Sequence, residues 1–264
     1  MSKTPPLLSV VMPCYNERKT IHASLERVLA CGVEPLEVIV VDDGSKDGTR
    51  SLLTEGPARD ARVRVVLHEK NKGKGAALRT GFAEARGRFV VVQDADLEYD
   101  PTEFAKLLEP LLADRADVVF GTRYGGGSHR VLRYWHTRGN QMLTRLSNMV
   151  TDLDLTDMET CYKMFRREII QGIELHEDRF GFEPEITAKL AGLRVRVFEV
   201  PISYQPRTFA EGKKIGIKDA FRAAYCIVRY GIPARMARGT RPAAAEAAEP
   251  QASAKARASA AHDN

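Results

Sequence analysis

Between residues 90 and 101 the chain reads VVVQDADLEYDP, an apolar run that ends in four carboxylates, Asp94, Asp96, Glu98 and Asp100, and then in Pro101. Carboxylates crowded at the end of a buried strand repel one another and are costly to ionise unless a cation pairs with them. Asp94 and Asp96 flank the single small residue Ala95. In an extended segment that spacing points both carboxylates to one side, with Glu98 two residues further on. Hard oxygen ligands of this kind suit Mg2+ or Mn2+, which share their shell with water and substrate phosphates. Taken alone, a D-x-D triplet is also what a solvated acidic loop capping the Pro101 helix would show; its place after an apolar strand weights the balance towards a cation site.

Such a site needs elements to hold it. The runs at 8–13, 37–43, 63–68, 88–94 and 117–122 are continuously apolar rather than alternating, as strands covered on both faces are. Stretches of helical period lie between them at 17–30, 45–55, 73–86 and 101–113, the last opening with Pro101 at its first turn. Repeated β-α-β predicts an α/β domain with a mainly parallel sheet flanked by helices and right-handed crossovers. Ligands of such sheets bind beyond the carboxyl ends of the strands. Asn16 and Glu17, then Asp42 and Asp43, then the acidic cluster all fall there.

Further on, the pattern predicts helices near 137–150 and 183–192, a strand over 194–200 and a basic helix over 214–231. Beyond Met236 the chain is rich in Ala, Pro and charge and poor in large apolar side chains, a composition that cannot offset chain entropy. The expected organisation is an extension over 1–6, one catalytic domain over 7–235 and a disordered tail over 236–264.

With 264 residues and a net charge of +5, the chain suits one sizeable core and either acidic partners or a solvated basic surface. Cys14, Cys31, Cys161 and Cys226 show no C-x-x-C spacing and read as reduced cysteines. With no signal-peptide pattern and no apolar run of about 20 residues, the expectation is a cytoplasmic protein, soluble or peripheral at the inner face of a membrane. Nothing in the chain resembles an element for base readout, so nucleic acid is not an expected partner. The segment NKGKGAALRTG, 71–81, matches neither G-x-G-x-x-G nor the P-loop. It offers a helix N-terminus with Lys72 and Lys74, read either as an anion contact or as a turn and cap.

Together PCYNE (13–17), VVDDGSKDGT (40–49), NKGKGAAL (71–78), DADLEYDP (94–101) and GTRY (121–124) resemble, in order and spacing, the inverting family 2 glycosyltransferases of GT-A fold. They look most like dolichyl- or polyprenyl-phosphate mannose or glucose synthases. The resemblance covers about residues 7–230. It implies that Pro13, Tyr15, Glu17, Asp42, Asp43 and Lys74 surround the nucleoside of a nucleotide sugar, that Asp94 bridges nucleotide and metal, and that Asp96 and Glu98 ligate Mg2+ or Mn2+. Glu98 departs from the glutamine common there. By the same resemblance Arg123, Arg133 and Thr137 hold the phosphate of a polyprenyl phosphate acceptor, and Arg207 and Lys214 clamp the donor diphosphate, a task to which the guanidinium fork is suited. Asp157 resembles a residue at the floor of the acceptor site, though a cap or core hydrogen bond would explain it equally.

The implied reaction is inverting transfer of a hexose from GDP-mannose or UDP-glucose to the acceptor phosphate, with Asp96, Arg123, Arg207 and Lys214 at its centre. Two other readings stay open: transfer to a hydroxyl, with Asp157, Glu183 or Glu185 as base, and a non-catalytic nucleotide-sugar-binding subunit. The helix over 214–231 sets Ile215, Ile217, Phe221, Ala224, Tyr225 and Val228 broadly on one side, fit either for an anionic membrane surface or for core packing. Oligomeric state has no signature in the sequence.

Overall fold

The computed structural model describes residues 5–125, 134–206 and 217–237. Seven strands form one sheet: β1 (Leu8–Cys14), β2 (Leu36–Asp42), β3 (Val63–Leu67), β4 (Phe89–Val92), β5 (Val118–Thr122), β6 (Lys163–Arg166) and β7 (Val197–Pro201), in the order β3-β2-β1-β4-β6-β5-β7. All neighbours are parallel except β6, which runs antiparallel to both β4 and β5. The apolar runs behave as their composition demands. Val10 stands between Val38 of β2 and Val91 of β4, and all three are wholly buried.

The connecting helices are α1 (Ile21–Leu29), α2 (Thr49–Leu52), α3 (Lys74–Glu84) and α4 (Phe104–Leu112). In α1, Ile21, Leu25 and Val28 recur at helical spacing and are buried, each worth about 1.5–3 kcal/mol of transfer free energy. Asp100 accepts from the Thr102 N–H and starts the turn that leads through Pro101 into α4. The expected helix over 45–55 shortens to α2, which starts only after Gly48 at φ 96°, where Asp47 accepts from the Thr49 N–H at 3.0 Å, and a separate 3-10 turn follows over Gly56–Arg59.

Beyond β5 come α5 (Tyr134–Thr151), α6 (Arg167–Gly172), α7 (Phe182–Gly192) and α8 (Ile217–Ala237), with α8 packed against both α5 and α7. β6 and α6 are additions to the sequence reading. α8 reaches Ala237, past the expected domain end, with Arg235 donating to the Met149 carbonyl at 2.8 Å. Of the apolar residues singled out on this helix, Phe221, Tyr225 and Val228 are exposed and Ala224 is half-buried, while Ile215 and the side chain of Ile217 lie outside the described residues; the buried face is made by Ala223, Cys226 and Ile227.

Candidate active site

The carboxyl edge of the sheet is organised by side chains that tie one loop to the next. At the end of β1, half-buried Pro13, and beyond it half-buried Tyr15 and Glu17, line the edge; the Glu17 N–H donates to Thr49 Oγ1 at 3.0 Å, and Thr20 Oγ1 donates to its carboxylate at 3.0 Å. After β2, Asp42 is wholly buried and paired with Arg50 at 2.7 Å. Asp43 accepts from the backbone N–H groups of Lys72 and Gly73 at 2.9 and 2.7 Å and contacts His68 Nδ1 at 2.8 Å. This single carboxylate therefore fixes the loop that enters α3.

The α3 N-terminus is covered by protein. The Ala76 N–H donates to the Asp178 carbonyl at 3.1 Å. Gly73, at φ +106°, and Gly75 lie so close to the carbonyls of Asp178 and Glu177 that a Cβ at either would collide with backbone. Any anion contact here therefore falls to a side chain, that of exposed Lys72 or that of Lys74. The Lys74 ammonium donates to Asp94 at 3.0 Å and to Glu183, from the start of α7, at 3.1 Å. Burial opposes the charge, but the two carboxylates outweigh it and hold Lys74 well above the ordinary lysine range.

Asp94 and Asp96 are half-buried on either side of buried Ala95. Leu97 turns the chain at φ 65°, the Glu98 N–H donates to Asp96 Oδ1 at 3.1 Å, and the Glu98 carboxylate accepts from the Tyr204 hydroxyl at 2.8 Å. No group of three or more His, Cys, Asp or Glu side chains among the described residues is gathered as a metal cage. Two hard carboxylates beside a lysine nevertheless fit Mg2+ or Mn2+, which are held by one or two carboxylates together with substrate phosphates and water rather than by an all-protein cage.

The antiparallel course of β6 brings a further segment to this edge. Because β6 runs against its neighbours, the chain reaches it at the carboxyl ends of β4 and β5, so residues 157–162 lie between the acidic loop and Arg123. The Tyr99 hydroxyl accepts from the Cys161 N–H at 3.1 Å, and Tyr162 donates to Gln93 at 2.6 Å. Arg123 makes a bidentate pair with Asp157, at 2.6 and 2.7 Å, and its N–H donates to the same carboxylate at 3.1 Å. Both side chains are buried, and the guanidinium lies 5.1 Å from the centre of the Tyr204 ring. Burial opposes the guanidinium charge and Asp157 more than restores it.

Sequence reasoning passed over two residues of this segment. Lys163, wholly buried, donates to the carbonyls of Met158 and Thr160 and lies 4.7 Å from the centre of the Phe120 ring; burial lowers its pKa. Glu159 Oε1 is buried with no hydrogen-bond partner among the described residues. Burial first, then the nearby Glu183 carboxylate, push its pKa up to about 7, against the pull of Lys163 and Arg123. The signal was a four-residue stretch, DMET, in which one acid was noticed and the other was not.

The structure thus gathers Lys74, Asp94, Asp96, Glu98, Arg123 and Asp157 at one edge with Glu183. Thr137 lies half-buried on α5. Arg133, Arg207 and Lys214 lie outside the described residues. The carboxylates named as candidate bases are engaged: Asp157 by Arg123, Glu183 by Lys74, and buried Glu185 by the N–H groups of His176 and Glu177, both at 2.8 Å, and by Lys189 at 2.6 Å.

The sheet order with its acidic carboxyl edge defines an α/β domain of the GT-A type. The same fold occurs in glucosyl-3-phosphoglycerate synthase from Mycobacterium tuberculosis, solved with Mn2+, UDP and glucosyl-3-phosphoglycerate, with a TM-score of 0.66 at 20% identity over 86% of this chain and 80% of that one. The chain belongs to glycosyl transferase family 2, whose profile matches residues 9–173. Its relatives include the undecaprenyl-phosphate mannosyltransferase of Micrococcus luteus, 32% identical over 85% of this chain and 94% of that protein. The glycosyltransferase AglJ of Haloferax volcanii is 31% identical over 77% of this chain but only 65% of its own length.

Proposed function

We propose that this chain transfers a hexose from a nucleotide sugar, GDP-mannose or UDP-glucose, to the phosphate of a polyprenyl phosphate at a membrane surface, inverting the anomeric centre. The observation that carries the reading is the ionic state of the site: Asp157, Glu183 and Glu185, the carboxylates first considered as bases for a hydroxyl nucleophile, are all committed to other partners. A phosphate monoester is already anionic near neutral pH and needs no strong base. The naming of the Micrococcus luteus relative for undecaprenyl phosphate supports the same acceptor.

In this reading an acceptor phosphate oxygen forms a bond to the anomeric carbon as the bond from that carbon to the diphosphate oxygen breaks, and the electron pair leaves with the nucleoside diphosphate. Pro13, Tyr15, Glu17, Asp42 and Asp43 shape the nucleoside end. Lys74 neutralises the carboxylates beside the diphosphate and holds Asp94 in place. Mg2+ or Mn2+, held by Asp94 and Asp96 with Glu98 beside them, would supply electrostatic stabilisation of the leaving diphosphate. Arg207 and Lys214 are assigned to that diphosphate, and Arg133 and Thr137 to the acceptor phosphate. Arg123, spent on Asp157, serves the acceptor side chiefly by fixing the floor and the Tyr204 ring.

One observation favours a second reading. A carboxyl poised near 7, that of Glu159, is tuned for a general base and would serve transfer to a hydroxyl. The deciding experiment incubates the purified protein with Mn2+ or Mg2+ and short-chain polyprenyl phosphate, with GDP-mannose and UDP-glucose in separate reactions, following nucleoside diphosphate and glycolipid. Glycolipid from one donor, lost in Asp96→Ala and kept in Glu159→Gln, is expected. Donor binding with no glycolipid from either donor overturns the proposal.

A further inference from the structure

The outer faces of α5 and α8 are built unlike the rest of the surface. On α5, Trp135, Arg138, Met142, Arg145 and Met149 follow one another at steps of three and four and so form a single stripe. Trp135 is 82% exposed and Met149 72%. The opposite side of the helix, with Leu143, Thr144, Ser147 and Thr151, is the buried one. On α8, Phe221, Tyr225, Val228, Ile232 and Met236 form a second stripe, with Phe221 75% and Met236 80% exposed, opposed to buried Ala223, Cys226 and Ile227.

The two stripes meet. Gly231 of α8 sits against Val150 of α5 so closely that a Cβ would strike its side chain, and Arg235 donates to the Met149 carbonyl. Ile232 and Met236 therefore flank the crossing at which the α5 stripe ends. Large apolar side chains clustered in this way on a folded surface mark a contact surface rather than ordinary solvent exposure.

The charge says what the surface contacts. α5 carries no acid in its whole length and α8 carries only Asp219, against five arginines and one lysine on the two helices, in a chain that is otherwise nearly balanced. The first acids after α5, Asp152 and Asp154, lie past its end. Arg138, Arg145, Arg229 and Arg235 are exposed, and the first two stand inside the apolar stripe itself. A second copy of this chain packed on the stripe would bring these arginines against their own kind. An anionic headgroup layer would neutralise them while the Trp, Phe and Met side chains entered the acyl boundary. No helix among the described residues is long and apolar enough to cross a membrane.

We propose that the joined α5 and α8 stripes are a docking surface for an anionic lipid bilayer, which rests on the polyprenyl-phosphate reading only in that such an acceptor resides in a bilayer. Docking through this face would set α5, which begins shortly after the Arg123 strand end, against the layer that contains the acceptor.

The vesicle measurement needs neither donor nor acceptor and so fails independently of the transfer reaction. Full-length protein is sedimented with vesicles of phosphatidylcholine mixed with phosphatidylglycerol, and with phosphatidylcholine alone, beside light scattering of the free protein. Association with the anionic vesicles only is expected. It should weaken about fivefold for each charge removed in Arg138→Gln and Arg145→Gln, and about tenfold or more in Trp135→Ser with Phe221→Ser. These side chains are exposed, so unfolding midpoints and turnover on a water-soluble short-chain acceptor should stay unchanged. Failure of the wild type to associate with anionic vesicles overturns the proposal. So does loss of a concentration-dependent dimer in the Trp135→Ser, Phe221→Ser variant with vesicle association unaltered, which would assign the face to a second copy.

Discussion

Glu159→Gln tests whether the floor of the site holds a carboxyl that folding keeps protonated. The ordinary glutamate value of 4.5 rises to about 7 in the folded chain. At about 1.4 kcal/mol for each tenfold change in proton affinity, ionising Glu159 at alkaline pH costs the folded state about 3 kcal/mol. The sign follows from proton binding: between about pH 4.5 and 7 the folded state holds the proton and the unfolded state has released it, so stability falls as pH rises through that window and levels off above it. A neutral amide removes this dependence. Urea unfolding of both proteins should therefore show the variant gaining on the wild type by about 2 kcal/mol between pH 5.5 and pH 8.5. An advantage that is equal at both pH values, or that shrinks as pH rises, would refute the buried, proton-holding Glu159. Glycolipid formation by the same variant then bears on the mechanism: retained turnover agrees with a phosphate nucleophile that needs no base, and collapse of the rate with folding intact makes Glu159 a group the transfer requires.

Asp157→Ala should cost about 3–5 kcal/mol in urea unfolding, because it leaves the Arg123 guanidinium buried without its partner, whereas Asp157→Leu with Arg123→Met should recover most of that loss. Lys74→Met leaves Asp94 and Glu183 facing each other, and donor affinity by calorimetry should fall at least about tenfold for the lost charge-assisted contacts. Gly75→Ala drives a Cβ into the Glu177 carbonyl and should destabilise the fold by about 1–3 kcal/mol in the same denaturant assay. EDTA should stop turnover without moving the melting temperature of the free protein, and Mn2+ should raise that temperature only when nucleoside diphosphate is also present, since two carboxylates and a diphosphate share the ion.

The parallel strands were legible because strands covered on both faces have no polar side to show, and a continuous apolar run such as RFVVV has few other uses. The acidic cluster was legible for the opposite reason, as charge where the pattern demanded burial. β6 escaped because KMFR opens and closes with basic residues and still lies wholly inside. Lys163 is accommodated by loop carbonyls and an aromatic face, and Arg166 by Asp114 and Asp117. Those partners belong to other elements, so local composition does not announce them. The same holds for Arg123 and Asp157, which meet across 34 positions. The α5 stripe was hidden by its own chemistry, since arginines alternating with Trp and Met at helical spacing blur the contrast by which an amphipathic helix is read.

The reversed strand explains why so much chemistry converges on one edge. Six parallel strands alone deliver only the residues that follow them, which here means the loops bearing Glu17, Asp42, Asp43, Asp94, Asp96 and Arg123. An antiparallel strand between β4 and β5 delivers the residues that precede it, and these can lie flat beneath the site. That course sets Asp157 under Arg123, Glu159 beside Glu183 and Lys163, and Cys161 against Tyr99. β7 then closes the far side: its exit sends the Tyr204 hydroxyl to Glu98 and the Ser203 N–H to Glu103, both across the acidic loop. On the proposed reading, the donor half is built from βαβ units and the acceptor floor from a strand that comes back.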